Sequence, residues 1–206
     1  MKKCSVICAI FFMVLSFGQK SITSEDYPKG VYKTFEEFKG KKADDQMRLK
    51  LKESKNEWLV QFINEETDKK EKKAFAIETG DNLYVNLPQL IKTFPKEDRG
   101  QSGGSAKSFY LKTMKAGKYY YAQNTFTSSA AFGFGALGSA LATRKKAIVY
   151  NTETQEYDLI RNSKEFTEFL EDNEPDLVEK YLEEKKKGGK EIDAIKRILF
   201  ELESEG

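Results

Sequence analysis

Apolar and polar residues alternate with period two through the middle of this chain. In MRLKLKE (Met47 to Glu53), Met47, Leu49 and Leu51 face one way, and Arg48, Lys50 and Lys52 face the other. EWLVQFIN (Glu57 to Asn64) sets Trp58, Val60 and Phe62 on one side and adds Leu59 and Ile63 on the other. The short ESKN link between the two segments predicts a hairpin. KAFAIETGDNLYVN (Lys73 to Asn86) predicts a second, with Thr79-Gly80-Asp81-Asn82 as its turn. KSFYLKTM (Lys107 to Met114) and KYYYAQNTF (Lys118 to Phe126) read as strands around Lys115-Ala116-Gly117. RKKAIVYN (Arg144 to Asn151) and EYDLIRN (Glu156 to Asn162) form a further hairpin across Thr152 to Gln155.

From Ser163 the apolar spacing becomes helical. Phe166, Phe169 and Leu170 share a face behind a Ser163 cap. Asn173-Glu-Pro-Asp opens a second helix with Leu177, Val178, Tyr181 and Leu182 as its stripe, and Gly188-Gly189 separates a third carrying Ile192, Ile195, Ile198, Leu199 and Leu202. Near the other end, Thr34 and Glu37 stand at capping-box spacing, Phe35 and Phe38 fall on one face, and Gly40 closes the turn. The pattern predicts an α+β fold: an antiparallel β-sheet of about six to eight strands, a short N-terminal helix and C-terminal helices.

The first residues change the picture. Lys2 and Lys3 precede an uninterrupted apolar run, Cys4 to Phe17, which is well short of the ~20 residues that span a bilayer. Ser16-Phe17-Gly18 places small residues where a signal peptidase reads, so residues 1–18 are expected to be a signal peptide cut between Gly18 and Gln19. A flexible lead-in over 19–26 and a single domain over 27–206 follow. The expected location is exported: periplasm, outer-membrane surface or secreted. Without Lys2 and Lys3 the 35 basic residues fall to 33, equal to the 33 acidic ones, so no nucleic-acid partner is expected.

The composition also narrows the chemistry. The chain holds no histidine, and its two cysteines, Cys4 and Cys8, lie inside the leader. Ser-His-Asp and Cys-His catalysis and Cys/His zinc sites therefore lack their parts. No EF-hand or nucleotide-binding glycine motif is present, and neither cofactor nor metal is expected. Carboxylate, lysine and tyrosine chemistry remain.

Two features carry candidate contacts. AAFGFGALGSALA (Ala130 to Ala142) lies in a connection over 127–143 and contains no charge. As a helix it would align Ala131, Gly135 and Ser139 in a small-xxx-small row that lets helices approach in lipid. As a connection it would lay Phe132, Phe134, Leu137 and Leu141 on the sheet or on a partner. The packed or mobile connection is the favoured reading, with membrane contact and self-association as alternatives. Tyr119-Tyr120-Tyr121 could stack on a sugar ring, although cross-strand packing accounts for strand tyrosines more simply. Adjacent acids such as Glu36-Glu37, Asp44-Asp45 and Glu65-Glu66 do not define the facing carboxylates a glycosidase needs.

Three segments are familiar in combination: YKTFEEF (Tyr32 to Phe38), GDNLYVN (Gly80 to Asn86), and the glycine/alanine-rich insert before RKKAIVYNTETQEYDLI. The chain resembles a group of uncharacterised exported proteins of Bacteroidota. Their pattern opens with Y-x-[ST]-F-E-[DE]-F, carries a G-[DK]-[DN]-x-Y-[IV]-N hairpin and ends in charged helices. The resemblance covers most of residues 27–204, implies an envelope or secreted location, and assigns no functional residue. The residues and the resemblance together point to a non-enzymatic exported module that binds an envelope macromolecule or a surface. The alternatives are a carboxylate-dependent glycan hydrolase and a lipid-interacting protein acting through residues 130–142.

Overall fold

A computed structural model of the chain describes residues 26–96, 101–102, 108–128 and 143–202. The expected signal peptide with its Gly18–Gln19 junction, and Phe132, Phe134, Leu137 and Leu141 of the small-residue connection, lie outside the described residues.

The strands are β1 (Gly30–Tyr32), β2 (Leu49–Glu53), β3 (Leu59–Asn64), β4 (Lys69–Lys70), β5 (Ala76–Glu78), β6 (Leu83–Asn86), β7 (Gln101–Ser102), β8 (Tyr110–Lys112), β9 (Met114–Ala116), β10 (Tyr119–Ser128), β11 (Thr143–Asn151) and β12 (Glu156–Ile160). The helices are α1 (Phe35–Lys39), α2 (Leu87–Thr93), α3 (Ser163–Asn173), α4 (Val178–Lys186) and α5 (Glu191–Glu201), with a 3-10 turn at Pro175–Leu177 before α4. The α+β class, the antiparallel pairing and the terminal helices match the sequence pattern.

The strands divide between two sheets. A seven-stranded sheet runs β1-β5-β6-β8-β3-β2, with β4 also on β3, and a five-stranded sheet runs β12-β11-β10-β7, with β9 also on β10. The division happens at Thr113. Its N–H and Oγ1 both bond to Leu83 O at 2.9 Å, which ends β8 in the first sheet and releases β9 into the second. What reads as one strand, Lys107 to Met114, is thus a corner between sheets, a common way for packed sheets to exchange a strand.

Both faces of the five-stranded sheet are covered. Tyr119 and Tyr121 look toward the C-terminal helices, where Tyr119 meets Phe169 at 5.5 Å and Tyr121 meets Phe200 at 6.3 Å between ring centroids. Tyr120, Tyr150 and Tyr157 line up across three strands on the other face. There Phe38 of α1 reaches Tyr150 at 5.2 Å and Phe75 of the first sheet at 5.5 Å. The main core therefore joins the two sheets through an aromatic layer supplied by α1.

The short α1 is held by its cap and its buried face. Thr34 Oγ1 accepts from Glu37 N–H at 3.1 Å, and the Glu37 carboxylate accepts from Thr34 N–H at 3.3 Å. Gly40 follows with an ordinary φ of −77°, and the positive φ of 53° falls on Lys41. At α3 the cap is Asn162, whose side chain accepts from Glu165 N–H at 3.1 Å, rather than the expected Ser163. Ser163 lies inside the helix, where its hydroxyl bonds with Tyr181 OH at 2.8 Å in the core.

Candidate functional site

A second, smaller core lies on the other face of the seven-stranded sheet. Val31, Val60, Phe62, Ile77, Tyr84 and Tyr110 are buried there, with half-buried Met47, Leu49 and Leu51 packed against them. Alternation dictates this face, because Leu49 and Leu51 belong to the apolar side of MRLKLKE and Phe62 faces Leu51 across the hairpin. The sheet curls until its first strand approaches its last. Val31 and Asp44 exchange backbone bonds at 2.8 Å each way, and Asp44 leads directly toward β2.

Gly30 permits this approach. Its φ is +143°, and a Cβ placed there would lie 2.7 Å from Asp44 O. Beside the bridge lies a cavity of about 560 Å³. Val31, Met47, Leu49, Phe62 and Ile77 line it, and Lys29, Asp45, Arg48 and Glu65 stand exposed at its rim. This volume falls within the ~300–1,000 Å³ of small-molecule sites, and the buried Glu78 and the neighbouring Thr79 add polar groups to the wall beside the apolar side chains. Hydrophobic periodicity identifies Met47, Leu49 and Phe62 of this mouth, whereas Val31 carries no periodic signal of its own. What sequence reasoning lacks is the curl that brings β1 beside β2, for which glycine at position 30 is the only local signal.

A second concavity, about 480 Å³, runs along β12 between α1 and the end of α2. Phe35, Lys39, Phe94 and Pro95 flank it, and Thr154 to Asp158 form its other side. Glu156 and Asp158 are two apart on one strand and point the same way, which sets them about 7 Å apart. Surrounding protein holds the Asp158 carboxyl above the usual aspartate range, and the Glu156 charge adds to the rise. None of the adjacent acid pairs read from the sequence supplies this arrangement.

The three consecutive tyrosines are structural. Tyr119, Tyr120 and Tyr121 are each no more than 3% exposed, so no sugar ring can reach their faces. Their hydroxyls bond Glu174, Asp26 and Gln123 respectively, at 2.8, 3.4 and 2.8 Å. Farther along the same hairpin, Asn124 and Lys146 face one another and are both buried. Burial lowers the Lys146 pKa, Glu165 opposes that shift, and Arg144 reinforces it.

Among the described residues no group of three or more His, Cys, Asp and Glu side chains could hold a metal ion. No described helix is long and apolar enough to cross a membrane. No curated protein and no solved structure matches the chain. A family of unknown function, DUF6563, matches residues 30–205, a span that takes in both sheets and the five described helices. The chain belongs to the DUF6563 family.

Proposed function

We propose that this protein is an exported, non-catalytic binding module that holds an envelope macromolecule or surface by seating an apolar group in the mouth of the curled sheet. One observation carries the reading. The isolated Val31–Asp44 bridge ties β1 to the segment that leads into β2, and beside it Val31, Met47, Leu49, Phe62 and Ile77 border an opening instead of a sealed core. Lys29, Arg48, Asp45 and Glu65 supply both signs of charge at the rim and stand in no ion pair among the described residues. They are available to orient whatever enters. The basic start and apolar run of residues 1–18 support export, and the resemblance to exported Bacteroidota proteins agrees with it.

A fluorescent fatty-acid analogue tests the mouth without knowledge of the native ligand. The full chain is expected to bind it saturably, and Met47→Lys, which adds a charge to a half-buried wall, is expected to weaken binding at least about tenfold. Binding that is absent from the natural protein, or equal in both proteins, overturns the proposal.

A second reading rests on Glu156 and Asp158. A carboxyl whose pKa is raised by burial, standing beside a second carboxylate, is the kind of pair a glycan hydrolase divides between acid and base roles. Hydrolysis of a glycan panel that disappears in both Glu156→Gln and Asp158→Asn would favour it over the binding module.

A further inference from the structure

Each sheet ends in a strand to which no described residue pairs on its outer side: β2 in the seven-stranded sheet and β12 in the five-stranded one. We infer that these two edges are made for one another, and that β2 of one copy adds to β12 of a second copy, head to tail. Three independent features of the sequence and register agree on the pairing.

The first is the direction of the backbone groups. Glu65 N–H bonds to Arg48 O, so the even-numbered residues of β2 exchange bonds with β3, and Leu49 and Leu51 turn theirs outward. On the other sheet, Thr152 N–H bonds to Lys118 O. The same alternation makes Tyr150 and Ile148 bond β10, and Val149 and Asn151 bond β12. That leaves Tyr157 and Leu159 of β12 with outward N–H and C=O groups. An antiparallel register that sets Leu51 opposite Tyr157 and Leu49 opposite Leu159 joins outward groups to outward groups.

The second is charge. That same register places Lys50 opposite Asp158 and Lys52 opposite Glu156, all on one face. These are the positions without mutual backbone bonds, where facing side chains come closest. The third is polarity on the reverse face, where Leu49 and Leu51 meet Leu159 and Tyr157.

The charges also select against the alternatives. Lysine on β2 and acid on β12 each protect an edge from pairing with its own kind, because antiparallel self-pairing sets Lys50 against Lys50 or Asp158 against Asp158. Protection alone would be served by one sign on both edges. Opposite signs block like edges and admit unlike ones. The groove beside β12, bounded by α1 and the end of α2, gives the incoming strand its place. A head-to-tail contact of this kind joins different patches on the two copies and builds a ring or an open chain.

Sedimentation of the full chain over a range of concentrations tests the pairing. Association is expected to rise with concentration and to weaken with salt. The double variants K50E/K52E and E156K/D158K are each expected to self-associate at least about tenfold more weakly, since two favourable cross-strand pairs become repulsive. Mixing these two variants restores association, because the acidic β2 of one meets the basic β12 of the other. A chain carrying all four changes assembles with itself again, and this rescue separates the pairing from any loss of folding. A natural protein that stays monomeric at every concentration, association indifferent to both reversals, or a β12 groove that takes an unrelated extended peptide but no second copy, each overturns the inference.

Discussion

Tyr27 lies flat on Phe38, with ring centroids 4.4 Å apart and planes only 4° from parallel. Phe38 is fully buried and also meets Tyr32, Phe75 and Tyr150, so one side chain of a five-residue helix joins the chain's first described segment to both sheets. Phe35, one turn away, is half-buried and packs at the margin of the same layer. Phe38→Ala is expected to cost about 3–5 kcal/mol of stability, and Phe35→Ala clearly less. Urea unfolding of the two variants checks the order; equal losses would contradict this account of α1.

Gly30 holds the closure of the curled sheet. Alanine there needs a φ of +143° and meets Asp44 O at 2.7 Å, so either β1 or the Asp44 bridge must shift. Gly30→Ala is expected to destabilise the fold by about 1–3 kcal/mol. Because the bridge borders the mouth, the same substitution should alter binding of the fatty-acid probe, whereas Gly188→Ala, far from the mouth and with open space at its Cβ, should leave probe binding unchanged.

Asp158 predicts a dependence on pH. Its folded pKa is raised by burial first and by Glu156 second, above the ordinary value of 3.8. Between that value and the raised one the folded state holds more protons than the unfolded state, so stability falls as pH rises through the window. Asp158→Asn removes this slope. The variant should melt higher than the natural protein near neutral pH, and the difference should vanish below the ordinary aspartate range. Thermal melts across pH would expose the opposite sign at once.

The hairpins and the helices were legible because alternation and the 3.6 spacing are local. Leu49, Leu51 and Phe62 fall on the face that their period assigns, and Ile195, Ile198 and Leu199 of α5 are buried as theirs does. The corner at Thr113 was not legible, since its cause is a pair of bonds to Leu83 thirty residues away. The α3 cap moved by one residue for a similar reason: Ser163 gains a buried partner in Tyr181 that only the packed helices provide. Neither concavity could be read from the chain, although the residues of both were in plain view. Each forms where a strand edge meets an element distant in sequence, β2 near β1 in one case and β12 near α1 in the other.

The anchoring of Tyr27 has a kinetic consequence. Its hydroxyl donates to Tyr150 OH at 3.2 Å, and neighbouring Asp26 pairs with Lys115 at 2.7 Å. Partners so far apart in the chain make loop closure costly in entropy, and topologies of this sort reach the native state in milliseconds to seconds rather than microseconds. The first described residues of the chain therefore cannot reach their native contacts before Lys115 and Tyr150 have been synthesised.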